Sequence, residues 1–169
     1  DPETIERELE LATRLNLNSL RVWLQYLAYE TDREKFLAHY EDFLTRCARY
    51  NIRPMIVVFD GCFGKDPSLD ATEWVANPGP RSMEKENWPK LERYVDDVVG
   101  KYAGDPRILF WDVMNEPSSL GEPANLERGA TWDFARHFCD YVRKIDPTHP
   151  TTVGVGNHSH IPYVFDRVD

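Results

Sequence analysis

The sequence predicts an α/β fold with parallel strands, in the form of part of a (β/α)8 barrel, the TIM barrel. Three observations carry this. Four strand-like segments are each preceded by a helix-like one, an alternation that calls for parallel pairing and right-handed crossovers. The longer loops all leave the carboxyl ends of strands, where parallel α/β folds place their sites. The first strand is aliphatic on one face and polar and bulky on the other, which suits a barrel lumen better than a doubly wound sheet.

The first helix opens at Asp1 and Pro2, a cap followed by a proline in the first turn. Ile5, Leu9, Ala12 and Leu15 keep helical spacing, and Asn16 and Asn18 end it. Ser19 to Tyr26 reads as the first strand, with Leu20, Val22, Leu24 and Tyr26 alternating with Ser19, Arg21, Trp23 and Gln25. Thr31 and Glu34 have capping-box spacing and predict the start of a second helix. Its stripe of Phe36, Leu37, Tyr40, Phe43, Leu44 and Cys47 runs to about Asn51. Pro54 to Asp60 is a near-continuous apolar strand, of the kind buried on both faces. A third helix spans about Trp88 to Tyr102, and Ile108 to Glu116 forms the third strand. A fourth helix spans about Thr131 to Ile145, and Thr151 to Gly156 forms the last strand.

The helix-to-strand turns, such as Gly104-Asp105-Pro106, are short, whereas Gly61 to Asn87 and Ser118 to Ala130 are long strand-to-helix loops. Loops of that length inside a domain are usually functional or disordered. A complete barrel takes about 250 residues, so a four-stranded chain of 169 that begins on a helix reads as a single domain, residues 1–169, truncated at both ends.

Composition excludes several classes. With 41% hydrophobic and 29% charged residues, the chain has enough apolar surface for a core and is not of the disordered type. Acidic residues outnumber Lys and Arg by 29 to 20, for a net charge of -9. No basic stripe offsets that balance, which argues against a nucleic-acid partner. No apolar run approaches the roughly 20 residues of a membrane span, and none has a signal-peptide shape. Compartment stays open, with secretion or a periplasmic location both compatible. Cys47, Cys62 and Cys139 show no CxxC spacing, which disfavours a zinc knuckle or disulfide framework. No cofactor motif stands out: Gly154-Val155-Gly156 lacks the third glycine of a dinucleotide fingerprint, and no phosphate loop or Gly-x-Ser-x-Gly elbow occurs.

The most informative stretch is Trp111-Asp112-Val113-Met114-Asn115-Glu116-Pro117. It ends a strand on a polar pair, and a carboxylate at that end of a barrel strand reads as catalytic, although a lone Glu is more often a loop cap. Asn-Glu-Pro after an aromatic-rich strand resembles the fourth strand of clan A glycoside hydrolases, which include cellulases, mannanases and many β-glycosidases. The resemblance implies that Glu116 is the general acid/base and that Asn115 binds the sugar's 2-hydroxyl. Arg21, in Leu20-Arg21-Val22-Trp23, matches the clan's second-strand arginine, and Arg53 to Asp60 looks like its third strand. On this basis the chain spans about strands 2–5. The clan's nucleophile, a Glu ending the seventh strand, has no match here, at Asp60, Asp166 or elsewhere. Many cellulase-like members end the third strand with histidine, whereas here Asp60-Gly61-Cys62 stands in that place.

Retaining glycosidases need two carboxyl groups about 5–5.5 Å apart, one protonating the leaving oxygen and one attacking the anomeric carbon. Glu116 fits the first role. Asp60 is a candidate for a sugar hydroxyl or, equally, for a loop cap. Cys62 lacks a paired His and is a poor nucleophile candidate. Trp74, in the long loop that also carries Phe63, is the preferred stacking platform for a pyranose face; Trp88, at a helix start, and Trp111 read as packing. Trp23 shares the Arg21 face and would floor the site. Asp112 would be buried and paired with a cation or hydroxyl. His158 and His160 form His-x-His, readable as sugar contact, metal pair or solvated loop, but no further ligands stand at recognisable spacing. Asn157-His158-Ser159 also has the glycosylation acceptor pattern, a short motif with many false positives.

The resulting expectation is a cofactor-free, metal-free glycosidase that hydrolyses a β-linked glycan with retention, this chain alone being inactive. A non-catalytic carbohydrate-binding barrel and a metal-dependent barrel hydrolase using His158 and His160 are the alternatives.

Overall fold

The computed structural model describes residues 1–62, 66–72, 74–117 and 130–169. Its chain order is α1 (Pro2–Arg14), β1 (Arg21–Trp23), α2 (Tyr26–Thr31), α3 (Arg33–Arg49), β2 (Met55–Asp60), α4 (Trp88–Val98), β3 (Phe110–Asn115), α5 (Ala130–Ile145) and β4 (Thr151–Gly154). The four strands form one parallel sheet in the order β1-β2-β3-β4. Among the described residues no helix is long and apolar enough to cross a membrane.

Local chemistry sets most element ends. The Asp1 side chain accepts the Glu3 amide and caps α1, with Pro2 in its first turn. Asn16 and Asn51 follow α1 and α3 with φ of 57° and 55°, a left-handed turn that asparagine adopts more readily than most residues. Several boundaries differ from the sequence expectation, two of them around α2. The first strand stops before Tyr26, because the Tyr26 amide donates to the Asn77 side chain at 2.7 Å and α2 begins there. The next helix is capped by Asp32, whose side chain accepts the Lys35 amide, and not by Thr31. Thr31 instead ends α2 and donates its hydroxyl to the Leu27 carbonyl.

The helices cover one face of the sheet. Phe59 lies between Tyr94, Phe134 and Phe138 in an aromatic cluster at the centre of the core. Trp88 stacks on His137 and donates to the Met83 carbonyl, as a packing residue would. Trp111 is fully buried and donates to Asp146 at 2.8 Å, at the amino-terminal end of the sheet. A second, smaller cluster of Leu9, Ala12, Cys47 and Ile52 joins α1 to α3. Between the helices, Asp97 of α4 receives the Tyr29 hydroxyl at 2.7 Å and the Arg33 guanidinium at 2.6 and 2.8 Å. Lys101 adds an ammonium at 2.9 Å, so one carboxylate ties α2, α3 and α4 together.

Candidate active site

The carboxyl ends of the strands are in lateral register. Asp60 of β2 lies opposite Asn115 of β3, and Asn115 lies opposite Gly154 of β4. Alternation along β3 would send Asn115 to the face opposite Asp112. An irregularity between Asp112 and Met114 against β4 resets the phase, and Asp112 and Asn115 both reach Arg21. The expected third strand also included Glu116. In the structure β3 ends at Asn115, and Glu116 has φ of 44°, which no longer continues the pleat. Its amide still donates to the Gly154 carbonyl at 2.6 Å, so the residue carrying the carboxylate is anchored to β4.

Arg21 organises this end of the sheet. Its Nε and Nη2 both bind Asp112 Oδ2, and Nη2 also donates to Asn115 Oδ1 at 2.8 Å. The guanidinium carbon lies 4.6 Å from the centre of the Trp23 ring, within cation–π range. Burial raises the Asp112 carboxyl above its ordinary value; the Arg21 hydrogen bonds and charge pull the other way, and the charge of Asp60 adds to the rise. Asp112 is only 1% exposed while Arg21 keeps 31% of its side chain in solvent, so a desolvated carboxylate orients a partly solvated guanidinium.

Asn115 is held at both ends, since its Nδ2 donates to Asp60 Oδ1 at 2.8 Å. Asp60 is 1% exposed and receives two more donors, the Cys62 amide at 2.9 Å and the Trp74 indole at 2.7 Å. Its oxygens thus serve the start of the long loop and the network behind Glu116. Trp74 is half exposed, edge-on to Trp23 with ring centres 5.5 Å apart. These two indoles, with Gln25 and Asp60, line a cavity of about 280 Å³. Trp23 Nε1 and Gln25 Oε1 are buried there without a hydrogen-bond partner among the described residues, one donor and one acceptor.

Glu116 is half-buried and faces an open cleft of about 390 Å³, shared with Arg21, Asp112, Asn115, Thr152 and Gly154. The Cys62 thiol lies 3.5 Å from Glu116 Oε2. The structure therefore gathers Glu116, Asn115, Arg21, Trp23, Asp60 and Trp74 at one end of the sheet. His158 stands apart, exposed at the start of a 3₁₀ turn (His158–Tyr163), and lines neither cavity. His160 lies against Trp132, and the Asn157 side chain accepts the Ser159 amide. Among the described residues no three His, Cys, Asp or Glu side chains come together as a metal site. Phe63 and most of the loop from Ser118 to Ala130 lie outside the described residues.

Two contributors were not recognised in the sequence. Asn77 reaches back to bond the Leu24 and Val58 carbonyls and pairs its backbone with Asp60, pinning the long loop to the sheet. The turn-forming Asn-Pro-Gly-Pro run was the available signal. Gly154 carries no sequence signal beyond its place in the incomplete dinucleotide motif Gly154-Val155-Gly156.

The cellulase profile, glycosyl hydrolase family 5, matches residues 5–162. Mannan endo-1,4-beta-mannosidase 8 of Oryza sativa subsp. japonica is 25% identical, the match covering 85% of this chain and 44% of that protein. Mannan endo-1,4-beta-mannosidase A of Podospora anserina is 31% identical over 77 residues, 41% of this chain and 20% of that one. The crystal structure of an endo-1,4-beta-mannanase from Rhizomucor miehei superposes with a TM-score of 0.68 at 16% identity, covering 92% of this chain and 52% of that one. The chain thus spans about half or less of the length of these proteins, and its four parallel strands correspond to about half of a (β/α)8 barrel.

Proposed function

Because the chain belongs to the cellulase family, glycosyl hydrolase family 5, we propose that it carries the acid/base half of a retaining hydrolase acting on a β-linked glycan of the β-1,4-mannan kind. The observation that carries this is Glu116: a half-buried carboxylate at the carboxyl end of β3, facing an open cleft, with Arg21 and Asn115 fixed beside it. The mannan preference rests on the activities named for the rice, Podospora and Rhizomucor proteins.

In this reading Glu116 protonates the departing glycosidic oxygen and then, as carboxylate, takes a proton from the attacking water. Asn115 has one amide hydrogen left after its bond to Asp60, enough to donate to a sugar hydroxyl. Trp74 and Trp23 offer ring surface to a pyranose, and the unpartnered Trp23 Nε1 and Gln25 Oε1 suit a hydroxylated ligand. Asp60 acts by holding Asn115 and Trp74 in place. The nucleophile is not Asp60 or Asp112, whose oxygens are committed to internal donors, nor Asp166, which pairs with Arg136. The resemblance to the clan implies that the nucleophile is a Glu ending a later strand, outside these 169 residues.

The test is Glu116→Ala in the catalytically competent protein that contains this chain. Cleavage of a natural β-glycan should fall by at least about 10²–10⁴-fold, the range for one acid/base group. A dinitrophenyl glycoside leaves without a proton, so the first step should be far less impaired. Intermediate should then accumulate as a burst, and azide should restore turnover to give a β-glycosyl azide. Equal losses on both substrates, no burst and no azide product would remove Glu116 from the acid/base role. Retained glycan binding without any turnover in the wild type would favour a carbohydrate-binding barrel instead.

A further inference from the structure

We propose that Gly154 is a positioning residue for this site, required because a side chain there would break the Arg21–Asn115 bond. The inference rests on the Glu116 reading above and extends it to a residue that touches no substrate.

Four site residues converge on this glycine. Its amide faces Asp112 Oδ1 at 3.3 Å, its carbonyl accepts the Glu116 amide at 2.6 Å, and its Cα pairs with Asn115 across the β3–β4 ladder. A Cβ built on it would lie 2.6 Å from Arg21 Nη2 and 3.1 Å from Asn115 Oδ1, the two atoms that share a 2.8 Å hydrogen bond. A carbon cannot stay 2.6 Å from a nitrogen, so something must move. Asn115 is tethered by Asp60 and by the backbone of β3, whereas Arg21 can slide on Asp112. The guanidinium therefore gives way and its bond to Asn115 is lost. Asn115 then keeps its Asp60 contact but loses the constraint that fixes its amide orientation beside Glu116.

The backbone of Gly154 is not in the left-handed region, so conformational freedom is not the reason for glycine here. Space is. Gly156 provides the contrast: a Cβ there meets the Glu116 carboxyl group at 3.4 Å, ordinary van der Waals contact.

The experiment is a double-mutant cycle of Gly154→Ala with Arg21→Lys in the catalytically competent protein, with Gly156→Ala alongside. Lysine keeps a cation for Asp112 but has no Nη2 to collide with. Gly154→Ala alone should lower kcat by about 10–100-fold, the scale of losing one charge-assisted hydrogen bond, with KM changed much less. In the Arg21→Lys background the same change should cost less than about threefold, a strong non-additivity. Gly156→Ala should stay within a few-fold of wild type. A crystal structure of Gly154→Ala should show Arg21 Nη2 withdrawn from Asn115. An additive cycle, or an intact Arg21–Asn115 bond in that structure, overturns the proposal. If Gly154→Ala does not fold, Arg21→Lys/Gly154→Ala should fold as well as Arg21→Lys; failure of that pair also overturns it. The Glu116→Ala leaving-group and azide comparison is independent of the cycle, so a wrong acid/base assignment and a wrong role for Gly154 give different results.

Discussion

Acid should loosen the helical layer at Asp97, and Asp97→Asn should expose how much that carboxylate contributes. Burial would by itself raise the Asp97 carboxyl, but hydrogen bonds from Arg33, Lys101 and Tyr29 outweigh it and pull the group down to about 2. In the unfolded chain the value is about 3.9. Between those values the unfolded state binds more protons, so stability rises with pH across that window. The contribution is complete above about pH 5 and is lost as pH falls through about 2. A shift of nearly two units corresponds to roughly 2.5 kcal/mol at neutral pH. Arg33 and Lys101 are about half exposed, at 53% and 52% of their side-chain area, and solvent screening trims this to about 1–2 kcal/mol. The assay is urea unfolding of wild type and Asp97→Asn from pH 7 to pH 2, in the protein containing this chain. The difference in stability should be flat from pH 7 to about pH 5, then shrink towards zero near pH 2. A difference that ignores pH, or none at pH 7, would show that the charge of Asp97 is not what fastens the helices.

Two more outcomes are expected. Trp74→Ala removes both a ring surface and the donor to Asp60; KM for a manno-oligosaccharide should rise about 5–10-fold, as for loss of an aromatic stacking contact, with kcat changed far less. A loss confined to kcat in steady-state kinetics would sink the platform role. The 169 residues alone, with β1 and β4 bounding the sheet, should be oligomeric or poorly soluble and hydrolyse no glycoside. Gel filtration and a reducing-sugar assay check this, and a soluble monomer with steady turnover on a β-glycoside would remove the partial-barrel reading.

What could be read in the sequence was what depends on near neighbours. The periodicity of Ile5 to Leu15, the Asp1-Pro2 start and the apolar run from Pro54 to Asp60 all became the expected elements. Arg21 stands on the polar face expected of the first strand, and Asp112, expected to be buried with a cation or hydroxyl, proves to be its partner across 91 residues. What escaped was decided at a distance. Tyr26 leaves the strand because Asn77, 51 positions on, takes its amide. The phase of Asn115 depends on how β3 meets β4, which no pattern within β3 encodes. Asp60 could not be divided between sugar contact and loop cap until Cys62, Trp74 and Asn115 were seen to converge on it. A glycine required for space leaves no periodic trace at all.

The left-handed backbone of Glu116 has a consequence for how such a protein can change. A non-glycine residue in this conformation sits about 1–2 kcal/mol above its right-handed alternative. Where only a turn is needed, at Asn16 and Asn51, the chain uses asparagine, which tolerates that geometry better. At 116 it keeps glutamate, so under the proposed acid/base role stability and reactivity pull in opposite directions at a single position. Drift under selection for stability alone runs towards glycine or asparagine there. Because the Glu116 amide makes the link to the Gly154 carbonyl of β4, that backbone anchor would survive the drift. If Glu116 is the acid/base proposed above, a descendant that still cups a sugar yet no longer cuts it is one codon change and a small gain in stability away.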